Sequence, residues 1–225
     1  NGPLDATAVR VGSNARLTIR RCQIRAGGGI VIEDNGYALI QNNRIESTGR
    51  ASIRTAIEIG AGAQPVIAGN VIIAEAESAM GIKIKRNGFG AIHHNRISSS
   101  RGIVVSGGDP DVRWNLFYGG TGIELWKRAA GRYVCNYLGG AYRSWDVSDD
   151  SKPFRFGNLR ISFEVLAKSI GVVGAIIGTS TAVFVFCTTV LGWDTPYAFL
   201  GGAVALFASG FIMFLSLLYA SIQDG

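Results

Sequence analysis

Two short groups of polar residues are the strongest candidates for chemistry in this sequence. The first is a loop in which Asp109, Asp111 and Arg113 bring two carboxylates and a guanidinium close together. Carboxylates hold divalent cations, and a pair of them can serve as acid and base. These carboxylates do not recur in neighbouring segments, as a shared site in a repetitive protein would require. A Gly-Asp-Pro loop is typical of a turn, so the sequence does not predict catalysis there.

The second group is His93 and His94, the only two histidines in the chain. Adjacent residues of a β-strand point to opposite faces, so the two rings are not expected to bind one metal ion. Hydrogen bonding at a turn is the role that their position favours. The sequence therefore predicts no catalytic residue, no metal site and no cofactor, and it favours a non-enzymatic role over an enzymatic one.

The best candidate for a binding surface combines an aromatic residue with two basic ones, Trp126, Lys127 and Arg128. Outward aromatic side chains stack on sugar rings or contact protein partners. The chain has a net charge of +6, and because the residues after 163 contribute −2, the first 163 residues carry +8. Such a basic surface fits anionic lipid, an acidic glycan or an acidic protein. Nucleic acid is not an expected partner, because the arginines are scattered and not interleaved with exposed aromatic residues.

These candidates lie within a repeat that organises the first two thirds of the chain. Its clearest element is an asparagine followed by any residue and then an apolar residue, and Cys22 begins a degenerate first copy. Successive copies are 21, 27, 25, 20 and 21 residues apart. The asparagines are Asn43, Asn70, Asn95, Asn115 and Asn136. Stacked at one corner, they are predicted to form a hydrogen-bonded structural ladder.

Two further elements recur with the asparagines. One is a small residue followed by an apolar-x-apolar triplet, as in Gly29–Ile32 and Gly81–Ile84, and the other is a short apolar piece such as Ala38–Ile40. Three short strands per period of about 20 to 27 residues predict a stacked solenoid. Coils stacked at roughly 4.8 Å would join their inward faces into one core. Glu58 and Lys83 occupy equivalent outward positions one period apart and are expected to pair.

The Asn-x-Ile and Gly-Ile-x-Ile elements between about Val9 and Tyr142 resemble the right-handed parallel β-helix superfamily, the fold of pectate lyases and of NosD- and CASH-type repeat proteins. The resemblance implies an all-β solenoid, a short single-stranded right-handed parallel β-helix of about five to six coils. Lyases of this kind use aspartates to hold calcium and an arginine as base. The same fold also carries adhesins and inert scaffolds, so the resemblance alone does not imply an activity. A two-sheet β-sandwich is the alternative architecture.

The C-terminal third of the sequence has a different composition. Residues 169–191 and 197–222 contain no charged residue, and each run is long enough to cross a bilayer as an α-helix. The predicted domains are a β-helix at residues 1–142, a linker and interfacial segment at 143–163, and a transmembrane helical hairpin at 164–225.

Small residues recur at four-residue spacing in both predicted membrane helices. They allow helix backbones to approach closely in lipid, either within the hairpin or against another membrane protein. These predicted packing residues are Gly174, Gly178, Gly201, Ala205 and Ser209.

The charges around the predicted spans bear on the side of the membrane. Lysines and arginines precede the first span, whereas the loop between the spans has none. The positive-inside rule therefore predicts that the solenoid is cytoplasmic. The β-helix resemblance implies the periplasmic or extracellular side instead, because that superfamily is mostly exported.

Two functional hypotheses follow from these patterns. The first is a non-catalytic, membrane-anchored structural or accessory subunit of a larger membrane protein complex, with the lipid bilayer and other membrane-protein subunits as partners. The second is implied only by the resemblance. It is a membrane-tethered carbohydrate-binding or polysaccharide-modifying protein, similar to a lyase or an epimerase, with an acidic glycan as its ligand.

Overall fold

The structure is a computed structural model that describes residues 7–48, 54–74 and 76–159. These residues form 17 β-strands and contain no α-helix. The strands are β1 (Thr7–Val11), β2 (Arg16–Arg20), β3 (Gln23–Ala26), β4 (Gly28–Ile32), β5 (Tyr37–Gln41), β6 (Arg44–Ser47), β7 (Thr55–Ile59), β8 (Val66–Ala68), β9 (Val71–Ala74), β10 (Met80–Ile84), β11 (Ala91–His93), β12 (Arg96–Ser106), β13 (Asp111–Arg113), β14 (Leu116–Trp126), β15 (Arg132–Val134), β16 (Tyr137–Val147) and β17 (Phe154–Phe156).

The strands stack in parallel into two long sheets. The larger sheet has ten strands in the order β1-β4-β7-β10-β12-β9-β6-β3, with β14 beside β12 and β16 beside β14. The smaller sheet has seven strands in the order β17-β15-β13-β11-β8-β5-β2. Each strand pairs with the equivalent strand one coil away, which confirms the predicted all-β parallel solenoid. The described chain makes about seven turns, more than the five to six coils that the sequence predicted.

The unequal repeat spacings arise at one corner of the solenoid. In two coils this corner holds an insertion, between Ser47 and Thr55 and again between Ala74 and Met80. In the later coils the corresponding strands join without an insertion into the single 11-residue strands β12, β14 and β16. The long periods therefore differ from the short ones in the length of this corner and not in the strands that build the core.

Columns of branched apolar side chains fill the interior. The strand register of the smaller sheet stacks one buried residue from each coil directly over the next. This column contains Ile19, Ile40, Ile67, Ile92, Val112 and Tyr133. Burying each side chain of this size contributes about 1.5–3 kcal/mol before the entropy cost of folding is subtracted. The core thus forms only when several coils stack.

Close stacking explains the small residue that precedes each apolar-x-apolar triplet. A Cβ atom added at Gly29 would lie 1.8 Å from the carbonyl oxygen of Ala56 in the next coil. At Gly102 the corresponding distance, to the carbonyl oxygen of Gly122, is 2.3 Å. Both distances are far below van der Waals contact, so a larger side chain would push neighbouring coils apart.

The outward faces carry charges that pair between coils. Glu58 and Lys83 lie opposite each other in the register of β7 and β10, as expected, with 3.8 Å between Lys83 Nζ and Glu58 Oε2. Lys85 also contacts this glutamate, at 2.6 Å. Exposed pairs of this kind contribute about 0.2–1 kcal/mol each, so they fix register more than they add stability.

The solenoid continues past residue 142, where the sequence predicted its end. Strand β16 runs to Val147 beside β14, and β17 pairs with β15. Most of the predicted linker is therefore the corner and strand of a further coil. Ser148–Ser151 has the polar composition of a linker, but the backbone amide of Ser151 donates to the carbonyl of Ser148 and closes a turn.

The remaining predictions for the C-terminal part lie outside the described residues. They are linker residues 160–163, the membrane hairpin at 164–225 and its packing residues Gly174, Gly178, Gly201, Ala205 and Ser209. Within the described part of the chain, no helix has the length and apolar character needed to cross a bilayer.

Candidate functional site

The asparagines of the repeat form a continuous ladder along one corner. From Asn70 onward, each side-chain oxygen accepts two hydrogen bonds from the asparagine one coil earlier. Asn95 Oδ1, for example, accepts from the backbone amide of Asn70 at 2.9 Å and from Asn70 Nδ2 at 3.0 Å. Asn95 Nδ2 donates in turn to Asn115 Oδ1 at 3.0 Å. The ladder residues Asn43, Asn70, Asn95, Asn115 and Asn136 are all buried, so the ladder satisfies polar groups that water does not reach.

The ladder extends beyond Asn136, the last member that the repeat predicted. Asn158 Oδ1 accepts from the backbone amide and Nδ2 of Asn136, at 3.0 and 2.9 Å. Sequence reasoning missed Asn158 because Arg160 stands where the motif requires an apolar residue. Its spacing of 22 residues from Asn136 was the available signal. At the other end, the backbone amide of Cys22 donates to Asn43 Oδ1 at 2.9 Å, so Cys22 occupies a ladder position without an amide side chain.

The residue before each ladder position has a left-handed backbone. We call these residues the outer corner column. They are Arg21, Asn42, Gly69, His94, Trp114, Cys135 and Gly157, with φ between 52° and 66°. Their backbone amides bind carbonyls of the next coil, as His94 N does with Arg113 O at 3.3 Å. Because of this left-handed turn, the ladder side chain points into the protein, and the side chain just before it points outward.

This backbone geometry overturns the expected orientation of the histidines. His93 ends β11 and His94 follows with φ 56°, which breaks the alternation of the strand. Both rings therefore lie on the same outer side, with 3.0 Å between the two Nδ1 atoms and an interplanar angle of 88°. The His94 ring also stacks on Trp114 of the next coil, with centroids 6.5 Å apart, and Trp114 is 54% exposed.

A notch opens beside the histidines. It has a volume of about 240 Å³, and its floor is Ala68 and Gly69, which have almost no side chain. Lining residues from the adjacent coils carry amide or imidazole side chains, Gln41, Asn42, His93 and His94. Burial lowers the pKa of His93, and the nearby His94 and Arg113 lower it further, while Asp111 acts in the opposite direction. The lowered pKa favours the neutral form of the His93 imidazole.

The loop with Asp109, Asp111 and Arg113 does not assemble an acid–base site. Asp111 Oδ2 pairs with Arg113 Nη2 at 2.9 Å on strand β13, whereas Asp109 is exposed in the corner before that strand. The second oxygen of Asp111 is buried and finds no hydrogen-bond partner among the described residues. In residues 7–48, 54–74 and 76–159, no three His, Cys, Asp or Glu side chains come together as a metal-binding group.

Trp126, Lys127 and Arg128 lie together at a different corner and are all exposed. Lys127 and Arg128 both have left-handed backbones, with φ 56° and 61°, so the two basic side chains project from a tight turn. Trp126 is 40% exposed, and its indole N–H lies 3.4 Å from Glu124 Oε2.

An ion pair that the sequence did not reveal supports this corner. Glu124 is almost fully buried, although it projects from the outer side of β14. Arg101, one coil earlier, donates from Nε to both carboxylate oxygens at 2.9 Å. The hydrogen bond to Glu124 raises the pKa of Arg101, and burial partly opposes that shift. This ion pair holds the Glu124 carboxylate in place, and the indole N–H of Trp126 contacts that carboxylate.

The family of the chain follows from a match that agrees with this geometry. The profile of the family described as "Right handed beta helix region" matches residues 4–117, half of the chain. The chain belongs to this right-handed β-helix family. The ladder, the stacked isoleucines and the outer corner column are therefore features of the repeated coil of a right-handed β-helix. Neither the curated proteins nor the solved structures contain a match to this β-helix chain.

Proposed function

We propose that this β-helix protein is a non-catalytic, membrane-anchored structural or accessory subunit of a larger membrane protein complex. The observation that carries the proposal is the surface of the last described coil. Phe154 and Phe156 are 59% and 66% exposed on strand β17, and Leu159 is exposed beside them. Large apolar side chains grouped on a surface are typical of contacts with lipid or protein.

Charges around these side chains fit the surface of a bilayer. Lys152 is exposed in the preceding corner, and the Arg155 guanidinium lies 5.1 Å from the centre of the Trp145 ring. Aromatic and basic residues are enriched together at the level of lipid headgroups. The charge-free run at residues 169–191 begins only ten residues after Leu159, which supports an anchor that follows this coil closely in the sequence.

The anchoring part of the proposal is tested with a fluorescent label in lipid vesicles. Phe156→Cys and, as control, Tyr37→Cys are made in a chain whose three native cysteines are replaced by serine. Tyr37 is also an exposed aromatic residue, but it lies on β5, far from the last coil. Lipid-borne quenchers are expected to quench a label at position 156 and not at position 37. Equal quenching, or none at either position, would contradict placement of the last coil at the bilayer.

The subunit part is tested on native membranes. Solubilisation in mild detergent, followed by size and composition analysis, is expected to recover the chain with other membrane proteins in constant proportion. The basic charge of the first 163 residues favours partners with acidic surfaces. A chain that migrates alone as a monomer would contradict this role while leaving the anchoring result intact.

The proposal includes a cytoplasmic solenoid, and Cys22 offers a direct test. Its thiol is free and exposed in the first described coil. In a chain with Cys135 and Cys187 replaced by serine, a membrane-impermeant maleimide should label Cys22 in inverted vesicles only. Labelling in intact cells or right-side-out vesicles would place the solenoid on the opposite side.

A second candidate function, binding of an acidic glycan, draws on the corner of Trp126, Lys127 and Arg128. An exposed indole beside two cationic side chains suits a sugar ring that carries a carboxylate. An acidic polysaccharide should then raise the melting temperature of the chain, and Trp126→Ala should abolish the shift. A neutral polysaccharide serves as the matched control. Absence of any shift would remove this candidate.

A further inference from the structure

The geometry at His93 and His94 points to a binding site that the repeat does not require. We propose that the two Nδ1 atoms form a two-nitrogen site for a divalent transition metal that prefers tetragonal coordination, Cu²⁺ or Ni²⁺, open to the adjacent notch. The two atoms lie 3.0 Å apart, within hydrogen-bond distance. A metal ion bound by both Nδ1 lone pairs would replace that hydrogen bond, with the proton of each neutral ring on Nε2.

The separation of the nitrogens favours one coordination geometry. A metal–imidazole bond of about 2.0–2.1 Å, combined with the observed 3.0 Å separation, gives an N–metal–N angle of about 94°. Neighbouring ligands of a tetragonal or square-planar ion lie close to this angle, which is diagnostic of Cu²⁺ or Ni²⁺. A tetrahedral ion would need the nitrogens to lie roughly 3.3–3.4 Å apart. The site is thus expected to prefer tetragonal ions to tetrahedral zinc.

The backbone holds both histidines in this arrangement. The carbonyl of His93 accepts from the backbone amide of Gly69 at 3.2 Å and from Asn95 Nδ2 at 3.0 Å. The amide of His94 donates to Arg113 O in the next coil. Because three coils fix the backbone of these two residues, little backbone conformational entropy remains to be lost when a metal ion binds.

The surroundings leave room for the other ligands. Gly69 has no side chain, so the notch admits water on the side where Gln41 and Asn42 lie, and their amide oxygens are suitable hydrogen-bond acceptors for that water. Arg113 is the cation nearest to the histidines in the register, and its ion pair with Asp111 offsets part of its charge. Both rings are needed, because either one alone provides a single nitrogen.

The test uses the full chain in mild detergent without a histidine tag. All three cysteines are replaced by serine, because thiolates bind soft metals and reduce Cu²⁺. His94→Asn retains a residue that tolerates a left-handed backbone, and His93→Gln retains a polar side chain. Arg21→Asn is the matched control, since it changes the same exposed left-handed corner position three coils earlier and removes no histidine. Circular dichroism verifies that each variant is folded.

Calorimetric titration with Ni²⁺ and electron paramagnetic resonance with Cu²⁺ provide independent readouts. The parent chain and Arg21→Asn are expected to bind one ion per chain, with a tetragonal Cu²⁺ spectrum that shows two imidazole nitrogens. Each single histidine variant should bind at least about tenfold more weakly, because the second nitrogen no longer acts at high effective concentration. Equal affinity in the folded single variants, or a spectrum with fewer than two imidazole nitrogens, would overturn the proposal.

Discussion

Two neighbouring positions of the coil differ in what recurs from one coil to the next. At the ladder position the same residue recurs, because each buried side chain must accept from one coil and donate to the next. At the outer corner position, one residue earlier, only the left-handed backbone recurs. Its side chains range from glycine to tryptophan, and two of them, His94 and Trp114, stack on each other.

The difference shows where this fold leaves freedom for function. A ladder side chain is buried and has partners on both sides, so its replacement disturbs two coils at once. An outer corner side chain is free to vary wherever its backbone conformation is tolerated. The outer corner column is therefore the place where a binding site can arise at little cost to stability, and the notch at Gly69 lies there.

Replacing a central ladder residue should have the largest effect. Asn95→Ala removes the acceptor of Asn70 and the donors to Asn115 and Ile67. Each buried polar group left without a partner costs about 1–3 kcal/mol, so we expect a loss of about 3–5 kcal/mol. The measurement is urea unfolding of the full chain in mild detergent, followed by circular dichroism.

The adjacent outer position provides the matched control for that experiment. His94→Asn alters the preceding residue, and asparagine also adopts the required left-handed conformation. We expect its free energy of unfolding to change by less than about 0.5 kcal/mol, the usual range for surface substitutions. If the two variants lose stability equally, the ladder and the outer corner column do not differ as the geometry indicates.

A smaller loss is expected where a buried charge lies on the outside of the sheet. Glu124→Gln preserves shape but removes the charge that binds Arg101, and Glu124 is only 4% exposed. Hydrogen bonds to charged groups contribute about 1.5–3 kcal/mol, so we expect a loss of about 2 kcal/mol in the same assay. An unchanged unfolding midpoint would mean that this pair contributes no more than a surface ion pair.

Glu33→Gln tests the exposed counterpart of that pair. The hydrogen bond from Arg10 is the main cause that lowers the pKa of Glu33. Such a group stabilises the fold above its unfolded pKa, and its contribution is lost as the pH falls through the lowered folded value. Because the pair lies at the surface, with 62% of the Arg10 side chain and 34% of the Glu33 side chain exposed, we expect the substitution to leave the unfolding midpoint at neutral pH unchanged within error. A loss as large as that of Glu124→Gln would contradict the role assigned to burial.

The end of the ladder should be weaker than its middle. Asn158 makes the same bonds to Asn136 as the inner members, but it is only partly buried, and water can replace its partners. Asn158→Ala should therefore cost about 1 kcal/mol, less than Asn95→Ala. Urea unfolding of both variants decides the order. A loss equal to that of Asn95→Ala would show that water does not reach the end of the ladder.

The sequence was sufficient to predict the solenoid because the same types of side chain recur at the core positions of successive coils. The isoleucines of the core columns and the asparagines recur in most coils, so each one reinforces the same prediction. The coil after residue 142 was not predicted because it replaces those signals. Trp145 takes the place of isoleucine in the core column, and Arg155 follows Tyr133 in the other column.

The features of the candidate site were less predictable because they depend on the backbone. A histidine carries no signal for a left-handed conformation, so the alternation of strands predicted divergent rings at His93 and His94. The Arg101–Glu124 pair joins residues 23 positions apart that match no repeated motif. The one available signal was that His94 directly precedes a ladder asparagine. Because this position recurs from coil to coil, it could have indicated a corner conformation shared by all its members.

A small gain in stability is expected at the first ladder position, where Cys22 stands in place of an asparagine. Cys22 Sγ already lies 3.3 Å from Arg20 O, the carbonyl two residues earlier that the inner asparagines also bind. Cys22→Asn would retain this contact and add a second donor to Asn43 Oδ1, so we expect a gain of about 0.5 kcal/mol. Cys22→Ser is the control, because its hydroxyl replaces the thiol contact but has no amide to donate to Asn43. If asparagine and serine have the same unfolding midpoint, a ladder bond at the open end contributes nothing, and burial alone gives the ladder its strength.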